Sequence, residues 1–157
     1  MKLIKILFFC SFLFLSSKSF SAEVGTEEEA RSMLERAVNL VNYDKAFALN
    51  VFTEGTGGFK YKDLYPFCAD DAGMLTGHPF NVGFDLLKFI DSDGKNVGEE
   101  FLKVAEVGVF KKVAYKITYP KEANMKETKE YQKVALVTKV SDQICAVGYH
   151  KKWDIKF

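Results

Sequence analysis

The spacing of apolar residues in the last third of the chain constrains the fold most. Large apolar or aromatic residues recur at a spacing of two residues or its multiples, at Val109, Val113, Tyr115, Ile117 and Tyr119 and again at Val134, Leu136 and Val140, and a further strand-like segment follows at 144–149. A period of two is that of a β-strand, whose successive side chains point to opposite faces of a sheet. The polar stretch 120–128 links the first two of these segments. We therefore predict that the chain ends in a three-stranded antiparallel meander.

A long amphipathic helix is predicted upstream of this meander. Thr26 and Glu29 have the spacing of a capping box, in which each residue satisfies a backbone N–H group of the first helical turn. The apolar residues that follow recur at helical spacing and form one stripe: Ala30, Met33, Leu34, Ala37, Val38 and Val41. Residues 44–51 continue the helix after a break, and the glycines within 53–58 end it.

The middle of the chain alternates turns with short elements. Residues 64–69 and 74–76 read as two strands joined by a tight turn at 70–73, and Pro66 gives the first of them the character of an edge or a bulge. A short helical piece is predicted at 85–89, a turn at 91–94 and a short amphipathic helix from Val97 to Ala105. Together the elements predict an α+β domain, with a five-stranded antiparallel sheet, a long N-terminal helix and helices packed on one side.

The first residues have the order of a secretory signal peptide. Lys2 and Lys5 precede an apolar run from Ile6 to Leu15, and small residues follow it. That run is about half of the roughly twenty residues that a membrane span needs, which favours a cleaved leader over an anchor. We expect a signal peptide at 1–21, a single domain over 22–157, and a periplasmic or secreted location.

Charge and cysteine content narrow the class of partner. The chain has 22 basic and 21 acidic side chains, and no segment concentrates its lysines with aromatic residues, so nucleic acid is not an expected partner. Cys68 and Cys145 remain after the leader is removed. An oxidising compartment permits a disulfide between them, and two small buried residues are the equally simple interpretation.

Four phrases of the sequence resemble the single Cache domain of the second type, a PAS-like extracytoplasmic ligand-binding family. These phrases are DLYPF at 63–67, DAG at 71–73, GHP at 77–79 and DSDGK at 91–95, and their order and spacing match. Later phrases, such as the closing AVGY at 146–149, match as well. The chain departs from the family at Lys111 and Lys112, where a Gly-Trp pair is usual, and at Phe80, where Asn is usual.

The resemblance implies a PAS-like domain that binds a small organic acid in a pocket over the sheet, without catalysis. It further implies a stand-alone binder or one that acts with a separate membrane receptor, and a homodimer formed through the first helix, although that helix's stripe fits core packing equally well. In a PAS-like sheet the first and last strands are neighbours, which would bring Cys68 and Cys145 together.

The predicted ligand-binding residues are His78, Tyr65, Tyr115, Tyr131 and Lys129. His78 stands where a strand gives way to a loop, from which an imidazole can donate to a carboxylate or make a structural hydrogen bond. The three tyrosines fall on predicted strands and offer hydroxyl groups, and buried core tyrosines are the alternative for each. Lys129 matches the family's lysine near the start of the fourth strand and could neutralise the acid's charge. Lys133 would share its face, and a solvated side chain is the alternative.

Two further functions stay open. An interaction module with a decayed pocket would explain the replacements at Phe80 and Lys112, and a small secreted enzyme would use His78 with Asp70 or Asp71. No nucleophile or zinc motif accompanies these residues, and the turn at 91–94 lacks the later acidic ligands of a calcium loop. We therefore expect no enzyme activity, no metal site and no cofactor.

Overall fold

The structure, a computed structural model, describes residues 24–118 and 130–151. The expected signal peptide and Lys129 lie outside these ranges. No helix within them is both long and apolar enough to cross a membrane.

Two consecutive helices begin the described chain. Helix α1 spans Glu27–Tyr43 and begins with the predicted capping box, in which the Thr26 hydroxyl accepts from the Glu29 N–H and the Glu29 carboxylate accepts from the Thr26 N–H. Helix α2 spans Lys45–Glu54 and extends past the predicted end at Val51. Asp44 separates the two helices, because its extended backbone ends α1 while its carboxylate accepts from the Phe47 N–H of α2. Gly55, with φ at 67°, then ends α2.

Five strands form one antiparallel sheet, as predicted. They are β1 (Pro66–Asp70), β2 (Leu75–Gly77), β3 (Lys111–Thr118), β4 (Glu130–Val140) and β5 (Gln143–His150), in the spatial order β2-β1-β5-β4-β3. The first strand therefore pairs with the last, which is the arrangement that a PAS-like domain requires. Pro66 is the first residue of β1, a position that tolerates the missing N–H. The strand is neither an edge nor bulged, which corrects that expectation: β1 lies between β2 and β5, and the register shift opposite Cys68 and Ala69 leaves the extra residue, Thr76, on β2.

The helices cover both faces of the sheet, which corrects the expectation that they pack on one side. Alternate residues of β4 and β5 are buried in two different clusters, so Leu136 contacts the α1–α2 cluster whereas Ala135 and Val137 contact another. The second cluster includes helix α3 (Val97–Val104) and a single 3₁₀ turn at Leu86–Lys88. The physical reason is that these strands carry apolar residues on both faces, and each face has to be removed from water.

The loop at 91–95 covers the outer edge of β3. Asp91 accepts the N–H groups of Asp93 and Lys95 at 3.0 Å within the loop, and its second carboxylate oxygen accepts the Lys116 N–H on β3. The Lys95 ammonium donates to the carbonyl of Ala114. These contacts occupy backbone groups that an edge strand would otherwise present to another chain. They confirm the predicted turn, and they commit the Asp91 carboxylate to backbone hydrogen bonds.

Candidate functional site

A polar row crosses the sheet on the face that α3 covers. Tyr115 on β3, Lys133 on β4 and His150 on β5 occupy directly opposed positions, and directly opposed residues of antiparallel strands point to the same side. The neighbouring positions on this face, such as Ala135 and Val113, belong to the apolar core. The row is therefore the point at which an otherwise apolar surface of the sheet becomes polar.

Lys133 is the central residue of this row. Its side chain is buried, with a relative exposure of 2%, and its ammonium lies over the ring of Tyr65, 5.3 Å from the ring centre. Within residues 24–118 and 130–151, no carboxylate lies at ion-pair distance from Lys133. Burial lowers the pKa of Lys133, and the more distant charge of Asp63 opposes that shift. A buried cation that lacks a direct counter-ion is costly, so the binding of an anion at Lys133 would be favourable.

His78 stands immediately after β2 and is also buried, at 8% exposure. Its Nδ1 atom accepts the backbone N–H groups of Phe80 at 3.0 Å and Asn81 at 3.1 Å. Burial and then the charge of Lys133 lower the pKa of His78 from 6.5 to about 4. The imidazole is therefore neutral at physiological pH, and these two accepted hydrogen bonds place its proton on Nε2, where it can be donated. The structural hydrogen bond and a donor to a ligand thus use different nitrogen atoms of the ring.

Three rings form a cluster beside Lys133. The ring centres of Tyr65 and His78 are 5.3 Å apart, those of Tyr65 and Phe80 are 5.5 Å apart, and those of His78 and Phe80 are 5.9 Å apart. Phe67 contacts His78 from the core side at 5.8 Å. Such edge-to-face contacts fix the rings relative to one another. Tyr65 is the residue of the cluster that contacts both Lys133 and Phe80.

The absence of a side chain at Gly148 on β5 leaves room for two residues of the polar row. A Cβ atom at Gly148 would lie 3.2 Å from the Tyr115 hydroxyl oxygen and 3.6 Å from Cε of Lys133. The missing side chain therefore gives Tyr115 and Lys133 the space that they occupy. Sequence reasoning identified Gly148 only as part of a closing strand phrase, and the tertiary structure gives this glycine its local role.

Asp63 ties the row to the start of α1. Its carboxylate contacts Nδ1 of His150 and accepts the backbone N–H of Gly25. Burial acts to raise the pKa of Asp63, but the hydrogen bonds from His150 and Gly25 outweigh it and hold this pKa below its ordinary value of 3.8. Tyr131 lies at the margin of this group, with its ring 5.6 Å from that of His150.

The structure thus brings together three of the five predicted ligand-binding residues, Tyr65, His78 and Tyr115, around Lys133. Tyr131 borders the group through His150, and Lys129 lies outside the described residues. Sequence reasoning did not select Phe80 or Gly148 as ligand-binding residues, and it noted Lys133 only as sharing the face of Lys129. The alternation of β4 gave one usable signal for Lys133, because it places a lysine on a face whose next positions, Ala135 and Val137, are core residues.

Cys68 and Cys145 lie outside this site. They are directly opposed on β1 and β5, and their side chains join the cluster on the α1–α2 face. Their sulfur atoms are 2.09 Å apart, at the distance of a disulfide bond.

Other polar features are less suited to a ligand. An open groove between α1 and residues 58–61 contains Glu29 and Arg36, but Glu29 pairs with Lys62, and Arg36 donates to the carbonyl of Gly58. In the described ranges no three His, Cys, Asp or Glu side chains converge as metal ligands would. The polar row around Lys133 is therefore the candidate site. Its cation and its neutral hydrogen-bond donors are suited to binding an anion.

Comparison with known proteins gives matches to solved structures. No family model matches the chain, and no curated protein sequence matches it. A periplasmic sensor domain of a chemotaxis protein has a TM-score of 0.55 and 20% identity, over 80% of this chain and 90% of that chain. A Cache chemosensory domain described for carboxylic acid recognition has a TM-score of 0.50 and 19% identity, over 80% of this chain and 88% of that chain. The chain therefore has the fold of a periplasmic Cache sensor domain.

Proposed function

We propose that this protein is a non-enzymatic, extracytoplasmic binding domain for a small organic acid, whose carboxylate is received by Lys133. The observation that carries the proposal is the burial of the Lys133 ammonium without a carboxylate at ion-pair distance among the described residues. A ligand carboxylate would supply the missing counter-ion, and hydrogen bonds to charged groups in a buried site are strong. The carboxylic acid recognised by one structural neighbour supports the same class of ligand.

The neighbouring donors would complete carboxylate binding. The hydroxyl of Tyr115 lies beside Cε of Lys133 over Gly148, and His78 has its Nε2 proton for donation. Tyr65 would provide a wall, because its ring contacts both Lys133 and His78. Tyr131 would act from the margin, next to His150. Lys129, which precedes β4 in the sequence, stays a proposed ligand-binding residue. An apolar wall with a few placed polar groups is the usual composition of a small-molecule site.

An extracytoplasmic location has independent support. Residues 1–21 have the composition of a signal peptide, Cys68 and Cys145 lie at bonding distance, and one structural neighbour is a periplasmic domain. In that compartment the loaded domain would act through a separate membrane receptor or as a binder on its own. We also propose the homodimer through α1 as an assembly to test by light scattering.

The test is isothermal titration of the domain from residue 22 onward, with a panel of short carboxylates identified first by thermal shift. A ligand that binds only the folded state raises the melting temperature, so the shift finds the acids and the titration measures their affinity. We expect Lys133→Met to weaken binding by at least about thirtyfold, because the carboxylate would then be buried without its cation. The matched control is Lys139→Met on the same strand, whose ammonium pairs with Asp71 at 2.8 Å.

Equal loss in both variants, or unchanged affinity in Lys133→Met, would contradict the proposal. A panel in which no acid binds would instead favour an interaction module. That second candidate has its own observation, since exposed apolar side chains concentrate in one segment after β1, namely Met74, Phe80, Val82, Phe84, Leu87 and Ile90.

A further inference from the structure

We infer that the ligand carries a single carboxylate and an apolar tail, and that Phe80 is the residue that contacts the tail and sets this specificity. The inference rests on the proposed function and deepens it. It follows from the charges available at the site and from the position of one exposed ring.

Among residues 24–118 and 130–151, Lys133 is the one buried lysine, and His150 beside it already contacts the Asp63 carboxylate. His78 is neutral, as shown above, and other partly buried lysines are already paired: Lys62 with Glu29, Lys95 with Glu100, and Lys116 with Asp93 and Glu130. Lys60 lies over the Phe80 ring at 5.2 Å, but its side chain is exposed and its charge is hydrated. A second carboxylate on the ligand would therefore be placed against aromatic rings without gaining a buried cation.

The carboxylate that the described residues bring to this site is already engaged by other groups. Asp63 is the acidic residue whose charge acts on Lys133, and its oxygen atoms already contact His150 and the Gly25 N–H. An amino acid would bring a second charge next to the aromatic cluster, where its hydration is lost. Charge matching therefore disfavours both dicarboxylates and amino acids at this position.

The surroundings of Lys133 are aromatic in the direction of Phe80. Tyr65 contacts Lys133 and Phe80, and Phe67 links His78 to Phe101 in the core. A ligand anchored at Lys133 and lying along Tyr65 would thus place its far end near Phe80. Contact between such rings and apolar surface of a ligand gives the largest gain in binding free energy.

Phe80 itself is 62% exposed although its position is fixed. The imidazole of His78 accepts the Phe80 N–H, and the ring packs edge-on against Tyr65 and His78. Packing within the domain leaves much of this ring in water. An apolar tail on the ligand would bury it.

The first experiment compares three probes that share a four-carbon chain and one carboxylate: butyrate, succinate and 4-aminobutyrate. They differ only at the fourth carbon, which is a methyl group in butyrate, a second carboxylate in succinate and an aminomethyl group in 4-aminobutyrate. By titration on the wild-type domain, we expect butyrate to bind about tenfold or more tightly than either charged analogue. Succinate or 4-aminobutyrate binding as tightly as butyrate would overturn the inference while leaving carboxylate binding by Lys133 intact.

The second experiment tests Phe80 through chain length. Acetate is too short to extend from Lys133 to the Phe80 ring, so we expect Phe80→Ala to weaken butyrate by about five- to tenfold and acetate by less than about twofold. Phe84→Ala is the matched control, because Phe84 is an exposed ring of the same loop outside the Tyr65–His78–Phe80 cluster. Equal weakening of acetate and butyrate would remove Phe80 as a specificity residue. If no probe binds the wild-type domain, both the proposed function and this inference fail.

Discussion

The two faces of the sheet use burial for different ends. The α1–α2 face buries a cluster made almost wholly of apolar side chains, and it holds the Cys68–Cys145 pair. The α3 face is built from the same strands but also buries Lys133 and Tyr115, and it has His78 at its margin. Burying an ammonium and an imidazole costs free energy that apolar residues would not cost. The comparison indicates that the first face serves stability, whereas the second gives up part of its stability, as we expect of the proposed binding site.

The largest expected effect is on the α1–α2 face. Replacing both cysteines, as Cys68→Ala with Cys145→Ala, removes a link between residues 77 positions apart in the sequence. A link of that span constrains the unfolded chain, so we expect its loss to lower the free energy of unfolding by roughly 4 kcal/mol. Urea unfolding measures this change, and dithiothreitol added during refolding should bring the wild type towards the variant. Two free thiols titrated in the denatured, unreduced wild type would show that the bond is absent.

The next largest expected effect is a pH dependence of stability that arises on the α3 face. His78 has a pKa of about 4 in the folded domain and an ordinary value of 6.5 when unfolded, so between these values the unfolded chain binds a proton that the folded chain does not. The stability linked to neutral His78 is therefore fully present above pH 6.5, and the free energy of unfolding falls by roughly 3 kcal/mol as the pH drops to 4. His78→Asn keeps an oxygen that can accept the Phe80 and Asn81 N–H groups but does not titrate.

Urea midpoints of both proteins at pH 7, 5.5 and 4 measure this difference. The wild type should lose more stability than His78→Asn between pH 7 and 4. The Asp63 carboxylate does not confuse the comparison, because its lowered pKa confines its contribution to pH below 3.8 and both proteins retain it. Parallel pH profiles would mean that His78 is hydrated in the folded domain.

The smallest effect has the opposite sign. We expect Lys133→Met to raise the free energy of unfolding by roughly 1 kcal/mol in the absence of ligand, because it replaces a buried charge with an apolar side chain of similar length. Lys139→Met on the same strand should lower stability slightly or leave it unchanged, since it removes a partly exposed ion pair. A marked loss of stability in Lys133→Met would mean that the folded domain already compensates that charge.

Local patterns predicted the elements well. The capping box at Thr26 and the alternation of the last three strands depend on neighbours in the sequence, and the structure confirms both. The arrangement of helices was predicted less well, because each strand was expected to have one apolar face. Small core residues such as Ala135 make the second face apolar as well. The site was predicted in part: Tyr65, His78 and Tyr115 were selected by residue type and position. Lys133 was noted only as sharing the face of Lys129, because its burial is a property of the tertiary structure.

The amino-acid sequence by itself determined the α+β class, the long capped helix, the strands and the resemblance to Cache domains, because periodicity and capping are short-range properties. Only the tertiary structure decided that α3 covers the second face, that Gly148 leaves room for Tyr115 and Lys133, and that Phe80 packs against Tyr65 and His78. These features join residues far apart in the chain. Their energies depend on desolvation and packing, which are set by what surrounds a side chain in space and not by its neighbours in sequence.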